Sequence, residues 1–101
     1  MIDWQYAMKA KSRQRNPVVE LVKAMKSCGT GNFMPPIGGV IYGFEIEHLG
    51  KKCTIFDTVE DDDYREESFD TVEDAIDGFL VNNRPLSEFA GDIRVEPCLV
   101  L

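Results

Sequence analysis

Residues 40–59 alternate apolar and polar side chains on both sides of a short turn, and this pattern predicts a β-hairpin. With Leu49-Gly50 at the tip, apolar residues pair on one face and an acid pairs with a base on the other: Phe44 with Ile55, Ile46 with Cys53, Glu45 with Thr54, and Glu47 with Lys52. A loop with an odd number of residues would mix the two faces, so we expect an even loop. Phe56 then lies opposite Gly43 on the outer face, which predicts that this face is partly covered as well.

An amphipathic helix is predicted at residues 17–28. Asn16 is a good N-cap, Pro17 suits the first helical position, and Gly29 suits the position after the last turn. Within the segment, apolar residues recur at intervals of three and four, which gives the helix one face for the core: Val18, Leu21, Val22 and Met25.

A second amphipathic helix is predicted at residues 71–81. Two pairs have the spacing of a capping box at its start, Asp70 with Glu73 and Thr71 with Asp74, and the sequence leaves both open. The apolar positions again follow helical spacing, so this helix also packs one face against the core.

The remaining segments have weaker patterns. Residues 29–39 are rich in glycine and contain two adjacent prolines, which predicts a loop. Residues 84–91 predict one further helical turn. The chain then ends in an apolar segment that predicts a strand, where Pro97 must lie at an edge, at a bulge or between two short strands.

Together these elements predict one small α+β domain over residues 1–101. Its antiparallel sheet consists of the central hairpin at 40–59 and the C-terminal strand, packed with the two main helices at 17–28 and 71–81. Residues 1–15 form a basic arm or a short helix within the same domain.

Charge is distributed unevenly along the chain, whose net charge is −7. Residues 1–27 contain six bases and two acids, whereas residues 28–101 contain sixteen acids and five bases. Ten of the acids lie between Asp57 and Asp74, where Arg65 is the single base. Such a field attracts cationic partners and repels nucleic-acid phosphate.

Five acids within this run are predicted to contact a cationic protein partner: Asp61, Asp62, Asp63, Glu66 and Glu67. Divalent cation binding is a weaker interpretation, because the alternate acids, central glycine and final glutamate of a calcium loop are missing. The third interpretation is a solvated, mobile loop that joins the hairpin to the second helix. The acids are denser than solubility requires, which keeps a cationic partner as an interpretation beside the solvated loop.

Four bases alternate along the arm and could hold phosphate or RNA: Lys9, Lys11, Arg13 and Arg15. No aromatic residues are interleaved with them for stacking on bases, and the rest of the chain is negative. We therefore favour a contact between the arm and an acidic surface of this chain or of a neighbour.

No set of catalytic or metal-binding residues is evident. His48 is the sole histidine and lies beside the hairpin tip, where it has no orienting carboxylate on its own face. Cys28, Cys53 and Cys98 are too far apart for a zinc site, and Cys53 is expected to face the core. We predict no catalytic residue, no metal and no cofactor.

These observations favour a non-enzymatic binding or regulatory protein, comparable to an immunity or inhibitor protein, that docks a cationic protein. The alternatives are a nucleic-acid-associated module that uses the basic arm and a structural domain without a ligand. The apolar end Cys98–Leu101 could pair in a homodimer. Apolar runs are too short to cross a membrane, and the first residues contain no signal core, so a cytoplasmic location is expected.

Overall fold

The computed structural model describes residues 16–97, and helix α1, Pro17–Cys28, is the first element in this range. The Asn16 side chain accepts a hydrogen bond of 2.8 Å from the Val18 N–H and caps the helix. At the other end Gly29 has a φ of 76° and donates its N–H to the Met25 carbonyl at 2.9 Å. The predicted bounds and caps of this helix are confirmed.

A five-stranded antiparallel sheet, of strand order β4-β3-β2-β1-β7, forms the centre of the molecule. Its strands are β1 (Thr30–Met34), β2 (Tyr42–Glu47), β3 (Lys52–Asp57), β4 (Glu66–Phe69) and β7 (Arg94–Pro97). The predicted register between β2 and β3 is confirmed at every pair, from Phe44 opposite Ile55 to Glu47 opposite Lys52. The turn between them, residues 48–51, contains an even number of residues, as the pairing requires.

Strand β1 corrects the prediction of a loop at residues 29–39, because residues 30–34 form a central strand of the sheet. Gly31 lies in β1 against the backbone of Glu96, so close that a Cβ atom there would lie 3.1 Å from the Cα atom of Pro97. The glycine that suggested a loop therefore permits a close approach of two strands. Only the rest of the segment, from Pro35 onward, is irregular.

Helix α2, Val72–Gly78, is shorter than predicted. Thr71 caps it and accepts a hydrogen bond of 3.0 Å from the Asp74 N–H, which decides between the two capping pairs. The helix ends at Phe79, whose ψ of 116° is extended. Residues 80–81 leave the helix and pair with residues 84–85 as the small hairpin of β5 (Leu80–Val81) and β6 (Arg84–Pro85).

The predicted helical turn at residues 84–91 is a 3-10 helix, Leu86–Asp92, and it packs with both α-helices on the inner face of the sheet. The core lies in this layer and contains the side chains that are most deeply buried: Phe44, Ile55, Val72, Ala75, Ile76, Phe79 and Leu86. This arrangement confirms the α+β fold, with helices packed on one face of an antiparallel sheet.

Two ends of the chain, residues 1–15 and 98–101, lie outside the described residues. The predictions for the basic arm and for dimer pairing through Cys98–Leu101 therefore remain predictions. Pro97 lies in β7, which is an edge strand, and this confirms one of the three positions expected for it. Neither helix in residues 16–97 has the length and apolar character that a bilayer span needs.

Candidate functional site

The acidic loop, defined here as residues 57–66, connects β3 to β4 and is held at its base. Asp57 donates its N–H to the Arg65 carbonyl at 2.9 Å, and the Arg65 N–H donates to the Asp57 carboxylate at 3.0 Å. At the tip, the Asp61 carboxylate accepts the Asp63 N–H at 2.9 Å, and the Asp61 carbonyl accepts the Tyr64 N–H at 3.1 Å. These bonds define the path of the loop and hold the carboxylates of Asp57 and Asp61 in place.

The five acids predicted as a partner-binding set occupy two different environments. Asp61, Asp62 and Asp63 lie at the exposed tip, whereas the other two lie in strand β4. Glu66 faces the outer side of the sheet, where its carboxylate accepts the Tyr64 hydroxyl at 3.1 Å. Glu67 pairs with Ile55 on the inner side and forms an ion pair with Arg65. Glu67 is therefore engaged in an ion pair, with its side chain still 38% exposed, and the other four acids form no ion pair within residues 16–97.

Arg65 is turned toward the core by this arrangement. Its guanidinium carbon lies 3.9 Å from the centroid of the Phe79 ring, a cation–π contact with a fully buried aromatic residue. The single base of the acidic run thus belongs to the inner face of the molecule. It neutralises Glu67, and among residues 16–97 no base forms an ion pair with the acids at the loop tip.

The acidic cleft, a hollow of about 440 Å³, lies between the loop and the segment that precedes β2. Three apolar side chains line it, and each is exposed to an unusual degree: Val40 at 42%, Ile41 at 49% and Val59 at 65%. Carboxylates line the same hollow, from Asp57, Asp61 and Asp63. The Thr58 hydroxyl donates to the Ile41 carbonyl at 3.0 Å and holds the two walls together. The cleft therefore combines apolar contact area with negative charge.

No base among residues 16–97 forms an ion pair with the acids at the loop tip or with Glu66. The ion pairs in this range lie elsewhere: Lys26 with Glu73, Lys52 with Glu47, Arg65 with Glu67, and Arg84 with Glu88. Unpaired carboxylates beside exposed apolar side chains form a surface suited to a ligand that is both cationic and partly apolar.

A second hollow, of about 480 Å³, adjoins the acidic cleft and shares Ile41 with it. It is lined on the sheet side by Met34, which is 47% exposed, and by Arg94. The segment that leads out of β1 both covers the core and lines this hollow. Phe33 and Pro35 are buried, Met34 and Pro36 are exposed, and all four residues line the hollow.

Neither His48 nor Cys53 belongs to a catalytic arrangement within the described part of the chain. His48 is exposed in the turn after β2, and Cys53 is fully buried beneath α2. Burial raises the pKa of the Cys53 thiol to about 11, so the reactive thiolate is scarce at neutral pH. Residues 16–97 contain no group of three histidine, cysteine or acidic side chains placed to hold a metal ion.

Sequence reasoning missed the apolar half of the site. Val40, Ile41 and Val59 lie within the predicted hairpin at 40–59, but the strands cover only Tyr42–Glu47 and Lys52–Asp57. The available signal was two adjacent β-branched residues, Val40-Ile41, directly after Gly38-Gly39. Comparison with protein-family models, with curated proteins and with solved structures finds no match for this chain.

Proposed function

We propose that this protein is a non-enzymatic binding protein that docks a cationic protein through the acidic cleft. The cleft contributes Asp61 and Asp63 for charge and Val40, Ile41 and Val59 as the apolar anchor. Asp62 at the loop tip and Glu66 in β4 add charge outside the cleft. One observation carries the proposal: carboxylates that form no ion pair within residues 16–97 line the same hollow as three exposed β-branched side chains. Charge would guide the approach of the partner, and apolar burial would hold it.

Two features of the cleft support a protein partner over a small ion. The apolar wall of the cleft, formed by Val40, Ile41 and Val59, provides no side-chain oxygen ligand for a metal ion, which prefers oxygen ligands on every side. The field at the tip repels phosphate, so an acidic protein of this kind resembles nucleic acid in charge and suits proteins that carry basic surfaces.

The test compares the wild-type chain with two double charge reversals that change the net charge equally. Asp61→Lys with Asp63→Lys alters the cleft, and Glu45→Lys with Asp77→Lys alters exposed acids that line neither hollow. Each protein is used to capture partners from nuclease-treated lysate at low salt, with release at high salt. A basic protein retained by the wild-type chain and by the control, but lost with the cleft variant, supports the proposal. Equal retention by all three proteins contradicts it.

The nuclease treatment also tests the nucleic-acid alternative, which depends on Lys9, Lys11, Arg13 and Arg15 outside the described residues. Capture of nucleic acid alone, abolished when these four residues are replaced by alanine, would favour that alternative. We further propose that the protein works in a reducing compartment such as the cytoplasm. The free thiols of Cys28 and Cys53 support this location.

A further inference from the structure

We infer that the cationic partner binds as an extended strand added to the open edge of β4, the strand that follows the acidic loop. This inference rests on the proposed function and specifies the backbone conformation of the partner. It follows from the hydrogen-bond pattern of β4, the acids around it, and the chemistry of the opposite edge of the sheet.

The backbone of β4 offers unpaired groups at regular positions. Antiparallel strands alternate between residues that bond to the neighbouring strand and residues that point away from it. Asp57 bonds to Arg65 across the ladder, so Glu67 and Phe69 also bond to β3. The N–H groups of Glu66 and Ser68 therefore point to the open edge, since β4 is the last strand of the sheet that residues 16–97 form.

The acids around this edge determine what kind of strand it accepts. Glu66 lies within β4 on the outer face, Asp63 precedes the strand, and Asp70 follows it. Acids directly opposite one another are unfavourable, so two copies of β4 repel each other when paired. A strand with bases at alternate positions would place positive charge opposite Glu66 and near both flanking acids.

The other edge of the sheet is less suited to strand addition. In β7, Glu96 and Arg94 bond to β1, and Val95 and Pro97 point outward. Proline has no N–H group, so Pro97 removes a donor from this edge. Within the described residues, β4 is therefore the edge strand that has two outward N–H donors, from Glu66 and Ser68, together with acidic side chains.

The critical variant is Ser68→Pro, because it removes an outward N–H without removing a hydrogen bond of the sheet. Ser68→Ala is the matched control, since both variants lose the 2.9 Å hydrogen bond between the Ser68 and Thr54 hydroxyls. The probe is a synthetic Lys-Thr-Lys-Val-Lys-Thr-Lys peptide, measured by titration calorimetry against the full chain at low salt. An acidic peptide, with glutamate in place of lysine, is the control for charge.

We expect the wild-type chain and the Ser68→Ala variant to bind the basic peptide with equal affinity. The Ser68→Pro variant should bind it at least about tenfold more weakly. None of the three proteins should bind the acidic peptide. Equal affinity of the two Ser68 variants would overturn strand addition. If the two Ser68 variants bind the basic peptide equally but the Asp61→Lys, Asp63→Lys variant does not bind it, the proposed function stands without strand addition. Absence of binding to the wild-type chain would contradict both.

Two further measurements keep the inference testable if Ser68→Pro fails to fold. Amide hydrogen exchange at Glu66 and Ser68 in the wild-type chain should slow at least about tenfold on saturation with the basic peptide, and unchanged exchange would overturn the inference. The second replaces Lys9, Lys11, Arg13 and Arg15 with glutamine. Unchanged affinity of this variant for the basic peptide supports a separate partner. A tenfold gain in affinity would mean that the chain's own arm occupies the edge, and would overturn the inference of a separate partner.

Discussion

The guanidinium carbon of Arg65 lies 3.9 Å from the centroid of the Phe79 ring, and this contact connects the acidic loop to the core. Arg65 lies at the base of the loop, and Phe79 is the fully buried residue at which helix α2 ends. Through Arg65, the position of a surface loop depends on an aromatic residue of the interior.

Replacing Arg65 with methionine should lower the free energy of unfolding by about 1–2 kcal/mol, because the cation–π contact and the ion pair with Glu67 are both lost. Methionine keeps the apolar stem of the side chain, so the loss reports on charge. Urea unfolding followed by circular dichroism measures it. Arg65→Lys should retain part of the stability, and a lysine variant as unstable as the methionine variant would contradict this account.

A substitution at Leu49 should stabilise the protein. His48 and Leu49 have φ angles of 55° and 58°, and Leu49 is fully exposed at the hairpin tip. Leu49→Asn should raise the free energy of unfolding by about 0.5–1 kcal/mol, because asparagine tolerates the left-handed conformation and no packing is lost. Leu49→Val should lower it, since a β-branched residue is strained there. Thermal unfolding of the two variants should therefore move in opposite directions.

Gly43 and Phe56 should be energetically coupled. They lie opposite each other in the ladder, and a Cβ atom at position 43 would lie 2.7 Å from the Phe56 ring carbon Cζ. Gly43→Ala should cost about 1–3 kcal/mol through overcrowding. In a Phe56→Ala background the same change should be neutral or favourable, because the obstruction is gone. A double-mutant cycle measures the coupling, and additive effects would contradict it.

Stability should fall with rising pH because of the Cys53 thiol. Burial raises its pKa from an ordinary 9.0 to about 11, so the unfolded chain releases this proton at lower pH than the folded chain. The stabilising contribution is complete below pH 9.0 and is lost as the pH rises toward about 11. The loss should be of the order of 2–3 kcal/mol.

The measurement compares urea unfolding of the wild-type chain and a Cys53→Ala variant between pH 8 and pH 11. All other side chains are the same in the two proteins, so the difference between their curves reports on Cys53. The wild-type chain should therefore lose more stability than the variant over this interval. Parallel curves would show that burial of the thiol has no such effect.

Local patterns in the sequence were sufficient where neighbouring residues determine the structure. The caps of α1 depend on Asn16 and Gly29, and the pairing of β2 with β3 depends on alternation around one turn. Both were predicted correctly because the interacting residues are close in sequence. Strand β1 was missed because its partners in β7 lie sixty or more positions away in the sequence, and the reason for its glycine is evident only when Glu96 is beside it.

The candidate site was predicted in part for the same reason. The acidic residues are consecutive, so their charge was evident from the sequence. Their separation into an exposed tip and an inward Glu67 depends on the register of β4, which contains no apolar alternation strong enough to predict a strand. The apolar wall depends on Thr58 holding Ile41 beside the loop, a contact between residues seventeen positions apart.

The paired hydrogen bonds between Asp57 and Arg65 separate the length of the acidic loop from the integrity of the sheet. Residues inserted between Val59 and Asp62 would enlarge a loop that is already closed, and doubling its length would add only about 0.6 kcal/mol of closure entropy. The tip can therefore acquire or exchange residues over evolutionary time, or receive a grafted peptide in the laboratory, while the strands beneath it keep their register.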